Sequence, residues 1–527
     1  MLFMSIHLGI DASTQSLTAL FIDPHKGEIL HEDSVTFGRD LPQYGAPHGF
    51  IEGNDPLIRH ADPLMWVDAL DLLLARLRDD GAPLNHVSAI SGSGQQHGTV
   101  YLSTRVDAFP DSSSDHPLRE TVADKLSRKT SPIWMDSSTT AECREIDRAL
   151  GGPGEVRKRS GSSATERFAG PQIRRFAKES PDDYAATEII HLVSSFLCSL
   201  IAGRDAPIDL GDGAGMNLLN LRSGDWDSGL LNATAPALRE KLPDTAPCNQ
   251  VVGTVDPALA ARFGINPEAR VVVWSGDNPN SLIGVGGWEP GTAVVSLGTS
   301  DTYFAAMAAP RVDPCGCGHV FGNPAGGFMS LICFKNGSLA RERIKDRFAM
   351  DWETFDNFHT EGSPGGGSAN LVLPYFVPEI TPVVLDAKPV YNGSARFRTD
   401  PEPLAAVRAL VESQALSMRI HSSWMRERPG ALRLTGGASK SAGICRVFAD
   451  VFNADVYRLE VSNSAALGAA MRAANAAENI PWKELTDAFC APAGAPVHPI
   501  AENVGAYDEL ATAYTELEAA YVYRTRR

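Results

Sequence analysis

Cysteine is scarce, with eight in 527 residues, scattered along the chain. That excludes a disulfide-framed scaffold, which needs a dense, even set of thiols. No apolar run reaches the roughly 18–20 residues that span a bilayer. The start, "MLFMSIHLGIDAS", has neither a basic region nor a long apolar core. No signal peptide is therefore expected, and the cytoplasm is the expected location. Positive charge is in deficit: 47 Lys and Arg stand against 64 Asp and Glu, for a net charge of −17. A sequence-independent hold on nucleic acid needs clustered cations, so no nucleic-acid partner and no membrane partner is expected. An anionic small ligand stays possible, because backbone N–H groups in a turn create a local positive site even in an acidic protein.

Several motifs are missing too. There is no G-x-x-x-x-G-K-[ST], and no G-x-G-x-x-G between a strand and a helix. "GSGQQHG", at 92–98, lacks the glycine spacing and runs into a strand. Neither a G-x-S-x-G elbow nor H-E-x-x-H occurs. The one dense thiol spot, "CGCGH" at 315–319, has no second ligand cluster to complete four-coordination, so it reads as a Gly-rich loop with reduced thiols.

What is present fits two or three α/β domains. The length exceeds what one core fills, and 43% hydrophobic with 21% charged residues is ordinary for a globular chain. Residues 5–23 read as strand, turn, strand, and 63–80 as an amphipathic helix with Pro63 at its start and Gly81 past its end. "VSAISGSGQQHGTVYL" is again strand, polar turn, strand. The tract 103–130 is polar and looks like a surface excursion. "PIWMDSSTT" leads into a helix with Ser or Thr in position to cap it. "VVVWSGDN" is a buried-type strand ending in an acid. "TAVVSLGTSDTYFAA" repeats the opening pattern, so the chain divides near 285 into halves that each begin with a hairpin. "SPGGGSAN", 363–370, reads as a flexible loop. "LRLTGGASKSAG" is a strand, a Gly-Gly turn and a helix start, and "SNSAALGAAMRAANAAENI" is an Ala-rich helix.

The two hairpin turns, Asp11–Ser16 and Gly298–Asp301, carry Gly, Ser and Thr, which suit a phosphate cradle and equally suit a plain turn. Gly436-Gly437 allows a ligand close to the backbone. Asp277 is either a structural turn aspartate or a general base. His97, with Gln95 and Gln96, is either a satisfied core cluster or a set of partners for sugar hydroxyls.

Taken in order, "GIDASTQSLTALFID", "SLGTSDTYFA" and "LRLTGGASKSAGICRVFADVFNADV" followed by "SNSAALGAAMRAA" resemble the motifs of the FGGY carbohydrate kinases, over roughly residues 5 to 480. "ISGSGQQHGTVYL", "PIWMDSSTT" and "ERFAGPQI" most resemble the branch that acts on D-xylulose, with other ketopentoses, pentitols or glycerol in reserve. The resemblance implies an α/β fold of two actin/hexokinase-like (ribonuclease H-like) ATPase domains, 1–285 and 286–527, with an interdomain cleft that closes on its substrates. It implies ATP and Mg²⁺ as cofactors, a small sugar as partner, and a monomer or homodimer. Asp277 would be the base, and Asp11 would help hold Mg²⁺. Thr14, Gln15, Gly298, Thr299 and Ser300 would meet the phosphates, while Gly436, Gly437 and Ala438 would line the adenosine site. Gln96, His97, Arg167, Asp277 and Asn278 would hold the sugar, Arg167 on the strength of "ERFAG" alone. A non-enzymatic actin-like or chaperone-like ATP module would leave the sugar-type stretches at 91–98 and 275–278 unexplained.

Overall fold

The computed structural model describes residues 5–109, 117–360, 364 and 369–525. Residues 110–116 of the polar tract and most of "SPGGGSAN" lie outside the described residues. The chain forms two compact units. One takes Met1–Gly286, Val320–Phe328 and Ser462–Cys490; the other takes Gly287–His319, Met329–Val461 and Ala491–Arg527.

In the first unit two apolar runs form β1 (Ile6–Ala12) and β2 (Ser16–Asp23), an antiparallel hairpin that β3 (Glu28–Thr36) extends. Nearly every residue of β1 and β2 is buried, as continuous apolar runs predict for a sheet covered on both faces. Helix α1 (Pro63–Asp79) begins where the Asp62 carboxylate accepts from the Leu64 N–H, with Pro63 in its first turn, and lays Met65, Leu70, Leu73 and Leu77 into the core. Strand β4 (Val87–Gly94) runs parallel to β1 and places Ser93 opposite Asp11. An edge strand, β5 (Val251–Thr254), pairs with β6 (Arg270–Val272), which lies parallel to β4. The short β7 (Ser275–Gly276) pairs with the far end of β4 and leads directly into helix α2 (Asp277–Gly284). The polar turn after β4 does not close a hairpin, because Thr99–Leu102 pairs with Ile189–Leu192. The expected side-chain cap on the helix Thr140–Ala149 is also not made; the Thr139 hydroxyl donates to the Glu166 carbonyl instead.

The second unit repeats the plan. β8 (Thr292–Leu297) and β9 (Asp301–Met307) form the hairpin, and β10 (Phe328–Phe334) lies beside β9. Helix α3 (Ser338–Arg347) follows. β11 (Ala431–Thr435) is parallel to β8; after it come α4 (Ala442–Phe452) and β12 (Asp455–Arg458), itself parallel to β11. Both sheets contain the same five-strand run, β10-β9-β8-β11-β12 here and β3-β2-β1-β4-β6 in the first unit, with His319–Gly322 added beside β10 and β5 and β7 added in the first sheet. The weak repeat in the sequence is thus a repeated sheet of the ribonuclease H-like kind.

The Ala-rich helix α5 (Ser464–Glu478) belongs to the first unit, where it packs on β1, β4 and α2. Small residues let it approach at backbone distance. A Cβ on Gly9 of β1 would stand 2.0 Å from the Ala466 carbonyl oxygen. A Cβ on Gly468 would stand 1.9 Å from the Asn280 oxygen, and one on Gly284 1.9 Å from the Ser464 oxygen. At the end of α5, Glu478 accepts from His7 at 2.8 Å and from His25 at 3.0 Å. Among the described residues no helix is long and apolar enough to cross a membrane.

Overpacking a core usually costs about 1–3 kcal/mol, and a backbone clash near 2 Å exceeds that range. Gly468→Ala is therefore expected to destabilise by at least about 3 kcal/mol in denaturant unfolding. Gly505→Ala, with nothing within 4 Å of the new methyl, should gain roughly 0.5–1 kcal/mol as an exposed helix position.

Candidate functional site

In the first unit the site begins at the end of β1. Asp11 is half-buried, and its carboxylate accepts from the Ser93 hydroxyl at 2.5 Å across the parallel pair. The turn that follows uses its hydroxyls unequally. Ser13 Oγ donates to the Ser16 carbonyl and lies 2.9 Å from Ser16 Oγ, closing the turn on itself. Thr14 Oγ1 accepts from the Trp134 indole at 2.8 Å, and Gln15 is exposed. Trp134, 43% exposed beside this turn, has no role in the sequence reading.

Asp277 opens α2 and is half-buried, as is Asn278. The Asp277 Oδ1 accepts from the Asn278 backbone N–H at 2.8 Å and from its side-chain amide at 3.1 Å. That same amide donates to Gln96 Oε1 at 2.8 Å, so Gln96 is tied to the base candidate. His97 adopts φ 73° and donates from Nδ1 to the Gly215 carbonyl at 2.7 Å. The left-handed backbone is uncommon outside glycine, and non-glycine cases concentrate at functional positions. The imidazole stacks on Phe168 at 4.1 Å, and the Arg167 guanidinium lies 5.9 Å from the same ring's centre. Hydrogen bonds thus join Gln96, Asp277 and Asn278 directly, while His97, next to Gln96, shares the Phe168 ring with Arg167. Buried polar atoms without a hydrogen-bond partner sit in the same segments: both amide atoms of Gln95, and Ser275 Oγ. Such groups cost about 1–3 kcal/mol each unless something pairs them, which a polyhydroxylated ligand or water does.

Asp212 was not singled out in the sequence, where "GDGAGMN" reads only as a loop. It is fully buried, accepts from Ser194 Oγ at 2.5 Å, and burial pushes its carboxyl well above the ordinary range. Burial also raises Asp277 to about 6, against the pull of backbone N–H groups at Asn278 and Gln96. Asp11 rises to about 7, through burial first, with Ser93 opposing and the charge of Asp277 adding to it. Paired, displaced carboxylates of this kind mark sites of proton transfer or cation binding.

The second unit carries a separate cavity of about 320 Å³. Gly437 and Ala438 line it, with Ser338, Glu342, Trp352, Phe355, Lys440 and Ile444. Gly436 sits beneath, at φ 85°, where a Cβ would stand 2.4 Å from the Leu297 carbonyl, so only glycine fits. The β8–β9 turn adjoins through that contact. Thr299 and Ser300 are exposed, while the carbonyls of Gly298 and Thr299 accept from the first amides of α3. Asp301 below them is buried in a bidentate pair with Arg341, at 2.9 and 3.0 Å. Trp352 and Phe355 give the cavity an aromatic wall that the sequence pass missed, because they stand in a short helix (Trp352–Asp356) with no recognisable motif. Thr14 and Gln15 lie in the first unit and Gly298, Thr299, Ser300, Gly436, Gly437 and Ala438 in the second.

"CGCGH" is organised by Asp313, whose carboxylate accepts from the N–H groups of Cys315, Cys317 and Gly318. Among the described residues no group of three or more His, Cys, Asp or Glu is placed to hold a metal ion.

The N-terminal domain of the FGGY family of carbohydrate kinases matches residues 6–284, and the family's C-terminal domain matches residues 293–477. The xylulose kinase of Rattus norvegicus is 39% identical, over 98% of this chain and 97% of that one. Xylulose kinase 2 of Arabidopsis thaliana is 40% identical over 89% and 87%. Among solved structures, the xylulose kinase from Rhodospirillum rubrum superposes with a TM-score of 0.82 at 20% identity, covering 99% of this chain and 100% of that one. The glycerol kinase of Plasmodium falciparum with ADP gives 0.77 at 16%, covering 99% and 98%. At these identities the superpositions bear on the fold alone.

The acid pair has a consequence for stability. Below the ordinary value of 3.8 both folded and unfolded Asp11 hold a proton. As pH rises toward about 7 the unfolded chain ionises first, so this group subtracts stability through that window. In metal-free buffer Asp11→Asn should therefore melt higher than the parent at pH 8 and equal to it at pH 4, as thermal unfolding across pH will show.

Proposed function

The chain belongs to the FGGY family of carbohydrate kinases, and from that premise we propose that it transfers the γ-phosphoryl group of ATP to D-xylulose, giving D-xylulose 5-phosphate and ADP. The observation that carries the reading is Asp277: a half-buried, dehydrated carboxylate at a helix start, hydrogen-bonded to Asn278 and linked through it to Gln96. The xylulose kinases that match nearly the whole chain supply the sugar.

In this reading the 5-hydroxyl of the sugar is the nucleophile. Asp277, with its carboxyl at about 6, is ionised at neutral pH and takes the hydroxyl proton as the oxygen–phosphorus bond forms. The bond from the γ-phosphorus to the bridging oxygen breaks, and ADP leaves with the electron pair. Phosphoryl transfer needs little covalent help, so positioning and charge stabilisation dominate. His97, held in place through Nδ1 by the Gly215 carbonyl, would be one of the polar partners of the sugar. Gln96, Asn278 and Arg167 complete the set of partners, and the wrong epimer would leave buried polar atoms unpaired.

In the second unit the adenosine lies in the cavity over Gly436, Gly437 and Ala438, its base against Trp352 and Phe355. Thr14, Gln15, Gly298, Thr299 and Ser300 meet the phosphates. For Thr14 the hydroxyl already accepts from Trp134 and so has its own proton to donate. Asp11 fits a hard divalent cation: it is a carboxylate that feels the charge of a second acid, Asp277, and it would hold Mg²⁺ with waters completing the shell, as Mg²⁺ prefers. Mg²⁺ bound there would offset charge on the phosphoryl oxygens. None of the eight cysteines forms a disulfide, which fits a reducing compartment, so the cytoplasm is the proposed location.

A coupled ADP-release assay over ketoses and polyols tests the substrate. D-xylulose should exceed ribulose, the pentitols and glycerol in kcat/KM, and equal rates with ribulose would refute the assignment. Asp277→Ala should lose about 10²–10⁴-fold in kcat while still binding ATP. Trp352→Ala should raise the KM for ATP roughly tenfold, the scale of one base–aromatic stack, and leave the KM for sugar unchanged.

A further inference from the structure

Helix α5 carries one charged residue that its alanine-rich sequence does not explain. Arg472 is 2% exposed. Its guanidinium donates from Nη2 to the carbonyls of Cys248 at 2.6 Å and Val273 at 2.9 Å, and from Nη1 to Asn280 Oδ1 at 3.1 Å. Asp209 Oδ2 lies 3.6 Å away. Asn280, fully buried, passes the connection on: its amide donates to the Gly276 carbonyl at 3.0 Å and to the Gly92 carbonyl at 3.2 Å.

These acceptors frame one segment. Val273 stands four residues before Asp277, Gly276 immediately before it, and Asn280 three after it on α2. Gly92 anchors the whole to β4. Arginine buried in a core is weak evidence for stability, since apolar replacements of similar volume are often neutral or better. What this arginine does have is a fixed mount. The contact between Gly468 and the Asn280 backbone leaves α5 no freedom to slide along α2. A rigid helix therefore presents a planar fork to both ends of the turn that bears the carboxylate.

We infer that Arg472 and Asn280 are positioning residues for Asp277, holding the β7–α2 turn so that the carboxylate meets the sugar hydroxyl in reacting geometry. The inference rests on the reading of Asp277 as the base. Neither residue touches substrate; both act through the backbone of 273–280. A misplacement of about 1 Å in a reacting group costs on the order of 10²-fold, which sets the scale.

The test uses the full chain with ATP and D-xylulose, and kcat is expressed per mole of enzyme that binds D-xylulose, so that protein misfolded in the first unit is not counted. Asn280→Ala, which cuts the link without changing charge, should lower kcat 10- to 100-fold with the KM for ATP within twofold of the parent. Arg472→Lys, which keeps the charge near Asp209 and loses the fork, should retain more kcat than Arg472→Met. A kcat in Asn280→Ala within twofold of the parent would overturn the proposal, as would a rise in sugar KM alone. If the Arg472 variants do not fold, Asn280→Ala decides by itself. A parent that phosphorylates no sugar, or an active Asp277→Ala, would instead refute the base assignment, so the two failures are separable.

Discussion

A helix resting on glycine is the contact from which the first unit is built. At Gly9, Gly284 and Gly468 backbone meets backbone with no room for a methyl group. Close-packed interiors transmit such constraints without slack. The position of α5 fixes that of α2, and α2 begins with Asp277. His7 and His25 hold the other end of the helix through Glu478. The contact therefore serves packing and also locates a carboxylate, which an ordinary hydrophobic interface of flexible side chains would locate less tightly.

The two hairpin turns divide their polar groups between bonds that close the turn and positions left facing outward. Ser, Thr and Gly favour turns for reasons of backbone geometry, and they also bind anions. At residues 13–16 the first reason takes two of the hydroxyls, since Ser13 and Ser16 satisfy each other. Thr14 is left facing Trp134, and Gln15 faces outward. At residues 298–300 the side chains are exposed, and Asp301 is withdrawn into a buried pair with Arg341. One composition thus covers structural and outward-facing positions, and only the hydrogen-bond partners separate them.

Much of the fold was legible because it is written in period and punctuation. The apolar runs of β1, β2, β8 and β9, the Pro63 start of α1 and the Gly-Gly turn after β11 are local signals. Of the site, Asp11, Gln96, His97, Asp277 and Asn278 were legible because each ends a strand or follows one within a motif. Contacts across long sequence separation were not legible. Nothing in "SAALGAAMRAANAAE" says that it packs on the first strand, nearly 460 residues earlier. Asp212 and Trp352 sit in short helices whose sequences are those of ordinary loops. The cap expected at Thr139 failed because the Glu166 carbonyl competes for the hydroxyl.

The two acids of the first unit are alike in sequence context and differ in what surrounds them. Each ends a strand, and each is raised by burial. Asp277 is the lower of the two because backbone N–H groups, those of Asn278 and Gln96 first, stabilise the anion. Asp11 has one hydroxyl donor and the added charge of Asp277, so it holds its proton more tightly. In the proposed roles this order is the useful one. The group that must be an anion before the sugar reacts ionises first. The group that must meet a cation exchanges a proton for it, since metal binding and proton release are linked. A divalent cation held by Asp11 would leave net positive charge near Asp277 where the metal-free protein has a neutral acid, and that charge would favour the ionised form of Asp277.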